Sequence, residues 1–267
     1  MKILDNGTIL NESNIKKIQP TFKKLTEEAM KRITLELKPI SIYLRGSLSE
    51  GKGLKYMSDI DIVVFKESTS DKKEIKKVLQ IIDSLEHEFS IVSEVDITIL
   101  THKLLMSSKY KRLRVYLKTQ SCLLYGKDVI SDITPFKANK KLALFMYSNI
   151  NKELLDFYNY FKNDESRSYL SRVRAPEFWC RWTMRTILRS GLGLVMFKKA
   201  VYTPNLHKCA EIISTEFPQL SVDIKKVLMY EMNPMNDKEK ITSFLDKFLP
   251  KYLYLWNEKQ KNNLSSR

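Results

Sequence analysis

IYLRGSLSEGKGLKYMSDIDIVVF, residues 42–65, is the stretch that decides how this chain folds. Its opening, continued from Ile40, is apolar and β-branched as far as Leu44 and predicts a strand. Gly46 and Ser47 close that strand, a short polar passage holding Gly51 and Gly53 follows, and Asp59 and Asp61 head a second strand. Side chains two apart on a strand share a face, so both carboxylates point one way while Ile60 and Ile62 point the other. Two like charges held that close raise each other's pKa unless a cation sits between them. A divalent metal carrying a triphosphate suits the position, because Mg²⁺ takes one or two carboxylates and fills its remaining positions with phosphate oxygens and water. Gly46 permits positive φ and a close backbone approach to a ligand. Ser47 is placed to cap a following helical turn, whose free N–H groups would form an anion site. A phosphate cradle beside paired aspartates points to phosphoryl or nucleotidyl transfer.

Working outward, Gly46-Ser47 followed by Ser58-Asp59-Ile60-Asp61 resembles the nucleotidyltransferase superfamily of DNA polymerase β, and within it the small bacterial antibiotic nucleotidyltransferases (adenylyltransferases). The family pattern asks for a third carboxylate on a nearby strand. Glu94-Val95-Asp96-Ile97-Thr98-Ile99-Leu100 meets it, with Asp96 in the expected place. The resemblance implies an α/β (α+β) nucleotidyltransferase domain with a mixed sheet, followed by an all-α helical bundle. It also implies an enzyme that uses ATP or another NTP as co-substrate with two Mg²⁺ ions held by Asp59, Asp61 and Asp96. Gly46 and Ser47 would then hold the β- and γ-phosphates. Asp96 would complete the second metal site or take the acceptor's proton, with Glu94 and Glu177 as other candidates for the base. In the family, basic residues of the helical domain clamp the leaving pyrophosphate; here Arg185 and Arg189, four apart on one helix face, and Lys199 near its end are the candidates.

Composition fits this frame. Of 267 residues, 43% are hydrophobic and 29% charged, as in a soluble globular protein. No apolar run reaches the length of a membrane span, and the N-terminus lacks the apolar core of a signal peptide. Cys122, Cys180 and Cys209 are widely spaced with no Cys-x-x-Cys pair, which fits a reducing cytoplasm and argues against zinc. The net charge of +15 concentrates anions at the surface. It reads either as solvated lysines or as a preference for an anionic acceptor such as RNA.

Asn14 to Leu37 has apolar residues at helical spacing, interrupted at Pro20, and Asp71 to Phe89 has them again, with Ile75, Val78, Leu79, Ile82 and Leu85 as the buried stripe. Thr101 is placed to cap a helix carrying Leu104, Leu105 and Met106. Lys109 to Tyr125 is basic and aromatic, and its Lys109, Lys111, Arg112 and Arg114 read first as solvated charges and otherwise as this half's candidates for an RNA backbone. Strands and helices alternate up to Thr134-Pro135; beyond that almost everything reads as helix. The boundary therefore falls at residue 135, with a nucleotidyltransferase domain over 1–135 and a helical domain over 136–267. The helical half is expected to comprise Asn139 to Phe161, Arg167 to Lys199 broken near Pro176, Thr203 to Phe217, Ser221 to Met232 and Asp237 to Trp256.

The leading expectation is transfer of a nucleoside monophosphate, AMP from ATP, to a hydroxyl of a small acceptor such as an antibiotic, in the cytoplasm and without a membrane. A polycationic aminoglycoside would be repelled unless acids such as Glu94, Glu153, Asp156, Asp164, Glu165 and Glu177 line the cleft. The alternatives are a nucleotidyltransferase acting on a macromolecule (tRNA, in a toxin-like manner, or protein) and a non-catalytic nucleotide-binding regulatory module.

Overall fold

A computed structural model of the chain describes residues 2–163, 168–169 and 172–264. The chain divides into two compact units, residues 8–136 with Lys2, and residues 137 onward with Ile3–Gly7.

The first unit runs α1 (Pro20–Leu37), β1 (Ser41–Arg45), β2 (Ile60–Phe65), α2 (Lys72–Glu88), β3 (Val95–Leu100), α3 (His102–Leu105), α4 (Lys111–Gln120) and β4 (Ser121–Gly126). The strands form one mixed sheet in the order β3-β2-β1-β4, with β2 and β3 parallel and the other neighbours antiparallel. A parallel pair needs a crossover, and α2 supplies it. Alternation along the strands gives the sheet two apolar faces. Ile42, Leu44, Ile60, Ile62, Val64, Val95 and Ile97 pack with the inward stripes of α1 and α2. Tyr43, Val63, Phe65 and Leu100 pack on the opposite side with Leu105, Leu117, Ile130 and Ile133.

Local sequence explains the helix ends. Asp71 accepts from the Glu74 N–H at 2.8 Å and starts α2, and Thr101 does the same for Leu104 at 3.1 Å at the start of α3. Pro20 is expected to interrupt the first helix but instead begins it, standing at the first helical position where its missing N–H costs nothing. A single 3-10 turn, Ile15–Lys17, precedes it. Ile75, expected inside, is 45% exposed; Ile81, one position off the expected stripe, is buried in its stead. Met106 is likewise exposed, as the residue that ends α3.

The second unit contains α5 (Lys140–Tyr147), α6 (Ile150–Lys162), a two-stranded hairpin of β5 (Ser168–Tyr169) and β6 (Arg172–Val173), α7 (Pro176–Val195), α8 (Leu206–Glu216), α9 (Ser221–Met232) and α10 (Lys238–Leu264). The single helix expected over Asn139 to Phe161 is two, parted at exposed Ser148 and Asn149; of its expected stripe, Leu142, Met146, Ile150, Leu154, Phe157 and Phe161 are buried and Phe145 is half-buried. Pro176 repeats the lesson of Pro20: it heads α7 at the first helical position. The helix expected from Thr203 starts later, at α8, where Asn205 accepts from the Lys208 N–H at 2.9 Å. The hairpin is a departure from the all-helical expectation. Arg167 and the final residues 265–267 lie outside the described residues.

Among the described residues no helix is long and apolar enough to cross a membrane. All three cysteines are buried and free. Burial pushes the thiol of Cys122 up to about 11 and that of Cys209 up to about 12, and raises that of Cys180, so none is a ready thiolate ligand or nucleophile.

Candidate active site

Strand register assembles the site. Asp61 on β2 lies opposite Arg45 on β1 and beside Asp96 on β3, and Arg45 in turn lies opposite Ser121 on β4. One transverse row, Ser121–Arg45–Asp61–Asp96, therefore crosses all four strands on the face that carries Tyr43 and Val63. The next row inward along β1 and β2 is apolar, so the charged row sits where the sheet stops being core. The Arg45 guanidinium joins the two acids, with one terminal nitrogen 2.8 Å from Asp61 Oδ1 and 3.7 Å from Asp96 Oδ2. The side chains of Arg45 and Asp61 are each 21% exposed and that of Asp96 12%, so the cluster is half-sheltered yet open to solvent.

Gly46 follows with φ of +80°, and a Cβ built on it would stand 3.0 Å from Asp61 Oδ2. Only a residue without a side chain fits there without strain or crowding of the carboxylate. Its N–H donates to Gln120 O at 3.0 Å, and its carbonyl oxygen lies 2.8 Å from the buried Ser49 hydroxyl, which pins the turn to the end of α4. The helical turn expected after Ser47 is only a turn. Gly51 takes φ of +72°, with Lys17 O 2.6 Å from where a Cβ would stand, and the helical path ends there. Ser47 consequently caps no helix, and its hydroxyl lies 3.2 Å from that of Ser58, which accepts from the Leu54 N–H. The Gly46-Ser47 corner is part-exposed beside the acidic row.

Asp59 precedes β2, and its carboxylate accepts from the Ser93 hydroxyl. Glu94 precedes β3, and its carbonyl accepts from the Ile60 N–H at 2.9 Å. The structure thus brings Asp61 and Asp96 onto one cation and engages Asp59 with the loop ahead of β3. Among the described residues no three acids, histidines or cysteines are gathered into a ready metal cage. The donor chemistry still fits Mg²⁺, which needs only one or two carboxylates when a triphosphate completes its shell.

The other sequence-predicted residues belong to the helical unit. Arg185 Nε donates to Glu231 Oε1 at 2.7 Å, Arg189 lies half-buried one turn further along α7, and Lys199 pairs with Glu216. Glu177 is in the first turn of α7, where a negative charge is favourable, and Ala175 occupies the cap position. Asp164 and Glu165, named for an acidic lining, lie outside the described residues. In the basic stretch, Arg114 donates to Met106 O at 2.8 Å and so closes a corner of the fold. Arg45 is the residue that sequence reasoning missed. The available signal was its place two residues after Tyr43, a charge ending an apolar strand immediately before Gly-Ser.

Residues 24–154 match the family described as nucleotidyltransferase domain. Among solved structures, the chain is similar to spectinomycin adenyltransferase AAD(9) from Enterococcus faecialis, solved with ATP and spectinomycin. The identity is 13% and the TM-score 0.57, covering 89% of this chain and 98% of that one. A toxin–antitoxin structure with AMP-PNP matches at 23% identity over 50% of this chain and 94% of that one, with a TM-score of 0.30, too low to bear on the fold. No curated protein matches.

Proposed function

The chain is a nucleotidyltransferase by its domain at residues 24–154, and from that premise we propose that it transfers AMP from ATP to a hydroxyl of a small acceptor and releases pyrophosphate. The observation that carries the reading is the row in which Asp61 and Asp96 lie side by side, with the left-handed Gly46 against Asp61 and Ser47 next to it. Asp61 and Asp96, with Asp59 from the edge of the row, are the residues that would hold Mg²⁺. Bound there, the metal supplies charge neutralisation to the triphosphate and to the oxygens that enter and leave at the α-phosphorus.

The remaining work falls to the chain itself. The Ser47 hydroxyl, at the corner where the Gly46 backbone lets a ligand approach closely, holds the terminal phosphates. The acceptor oxygen forms a bond to the α-phosphorus as the bond to pyrophosphate breaks, and the hydroxyl proton passes to a carboxylate, with Asp96 the foremost candidate and Glu94 and Glu177 behind it. Arg185, Arg189 and Lys199 are the candidate cations for pyrophosphate. The resemblance to an adenyltransferase solved with ATP and spectinomycin supports ATP as donor and a hydroxylated small molecule as acceptor.

The test is incubation with α-labelled ATP, Mg²⁺ and, in turn, an antibiotic panel including spectinomycin, tRNA and a protein extract. Label is expected in a small molecule. Label confined to tRNA or protein overturns the small-acceptor reading, and bound nucleotide without transfer favours a regulatory module. Substituting Gly46 by alanine is expected to cost about 1–2 kcal/mol of stability through its left-handed φ. Transfer should fall further, by at least about tenfold, because the new methyl group crowds Asp61. Denaturant titration and initial rates measure the two effects separately.

A further inference from the structure

We propose that Arg45 is a built-in counter-ion for the acidic row, holding Asp61 and Asp96 in place before a divalent cation arrives and competing with it for their oxygens. This rests on the reading that those aspartates bind the metal. The register on both sides of β1 places Arg45 opposite Asp61 and Ser121, so backbone pairing fixes where its guanidinium starts. One nitrogen stands 2.8 Å from Asp61 Oδ1 and 3.7 Å from Asp96 Oδ2, so the guanidinium draws on one oxygen of each acid that a cation would share.

The partners are sheltered enough for the competition to matter. At 12–21% exposure, two adjacent carboxylates are poorly served by water, and a guanidinium between them relieves their repulsion. Unlike an ammonium, it is planar and offers several donors, so it can span both acids at once. A free divalent cation draws charge from the same two carboxylates, weakens their hold on the guanidinium and offers it nothing in return. A cation arriving with a triphosphate brings anionic oxygens that offer the guanidinium new acceptors. The device makes metal loading depend on nucleotide and keeps the row ordered when neither is bound.

The experiment is a titration of the full chain with Mn²⁺ alone, free ion followed by electron paramagnetic resonance, with folding checked by circular dichroism. Arg45→Gln is expected to bind Mn²⁺ about tenfold more tightly than the wild type, and Asp61→Asn to abolish the binding in either background. Equal or weaker binding by Arg45→Gln, with Asp61→Asn still abolishing it, would overturn the competition and leave the metal site standing. Mn²⁺ binding indifferent to Asp61→Asn would overturn both. Should Arg45→Gln not fold, Arg45→Lys decides the matter. It keeps the charge but loses the fork, so an affinity gain of about threefold is expected, and no gain counts against the proposal.

Discussion

Changing Asp59 and Asp61 together to alanine is expected to reduce nucleotidyl transfer by about a thousandfold or more, the scale on which removing preorganised electrostatic groups slows an enzyme. The fold should survive. Asp61 lies on a part-exposed row at the edge of the apolar layers, and neither acid belongs to the clusters that hold the sheet together. Arg45 keeps Asp96 as a partner, so the stability lost with its contact to Asp61 should be about 1 kcal/mol. Initial rates with labelled ATP, set beside the thermal melt of the same sample, distinguish a chemical defect from a structural one. Retention of full activity would remove the metal assignment and, with it, the role given to the row.

The second large effect is structural. Trp256→Ala should destabilise the helical unit by about 3–5 kcal/mol. Trp256 is fully buried on α10, with its ring 5.9 Å from that of Tyr147 on α5 and 6.1 Å from that of Phe197 just beyond α7. Three segments therefore meet at one indole. They are two helices and the flank of a third, packed too closely to collapse cheaply into the space that alanine would leave. Calorimetry of the full chain should show a transition lowered by many degrees, and a loss under about 1 kcal/mol would mean that the indole is not packed as described.

Much of the first unit was legible because strands carry a strict period of two. Ile60 and Ile62 against Asp61, and Val95 and Ile97 against Asp96, announce which side of each strand is core, and the structure buries all four isoleucines and valines. What stayed hidden depended on partners rather than on pattern. Nothing local to Arg45 says that its neighbours across the sheet are acids; the antiparallel register of β1 and β2 says so. Pro20 and Pro176 were legible as punctuation but not in sign, since proline both stops helices and starts them. The break at Ser148-Asn149 escaped because apolar spacing continues across it, so periodicity alone could not separate one helix from two. The expected turn of helix after Ser47 failed at Gly51, whose left-handed backbone answers to the approach of Lys17, a residue far off in sequence.

The parallel union of β2 and β3 has a consequence for misfolding. Sliding β3 by a single residue would swing Asp96 to the side occupied by Val95 and Ile97, forcing a carboxylate into oil and sending valine and isoleucine toward water. The same acid that is proposed to serve catalysis thus penalises every neighbouring misalignment, and a chain that closes its sheet correctly has, by that act, also set Asp61 beside Asp96.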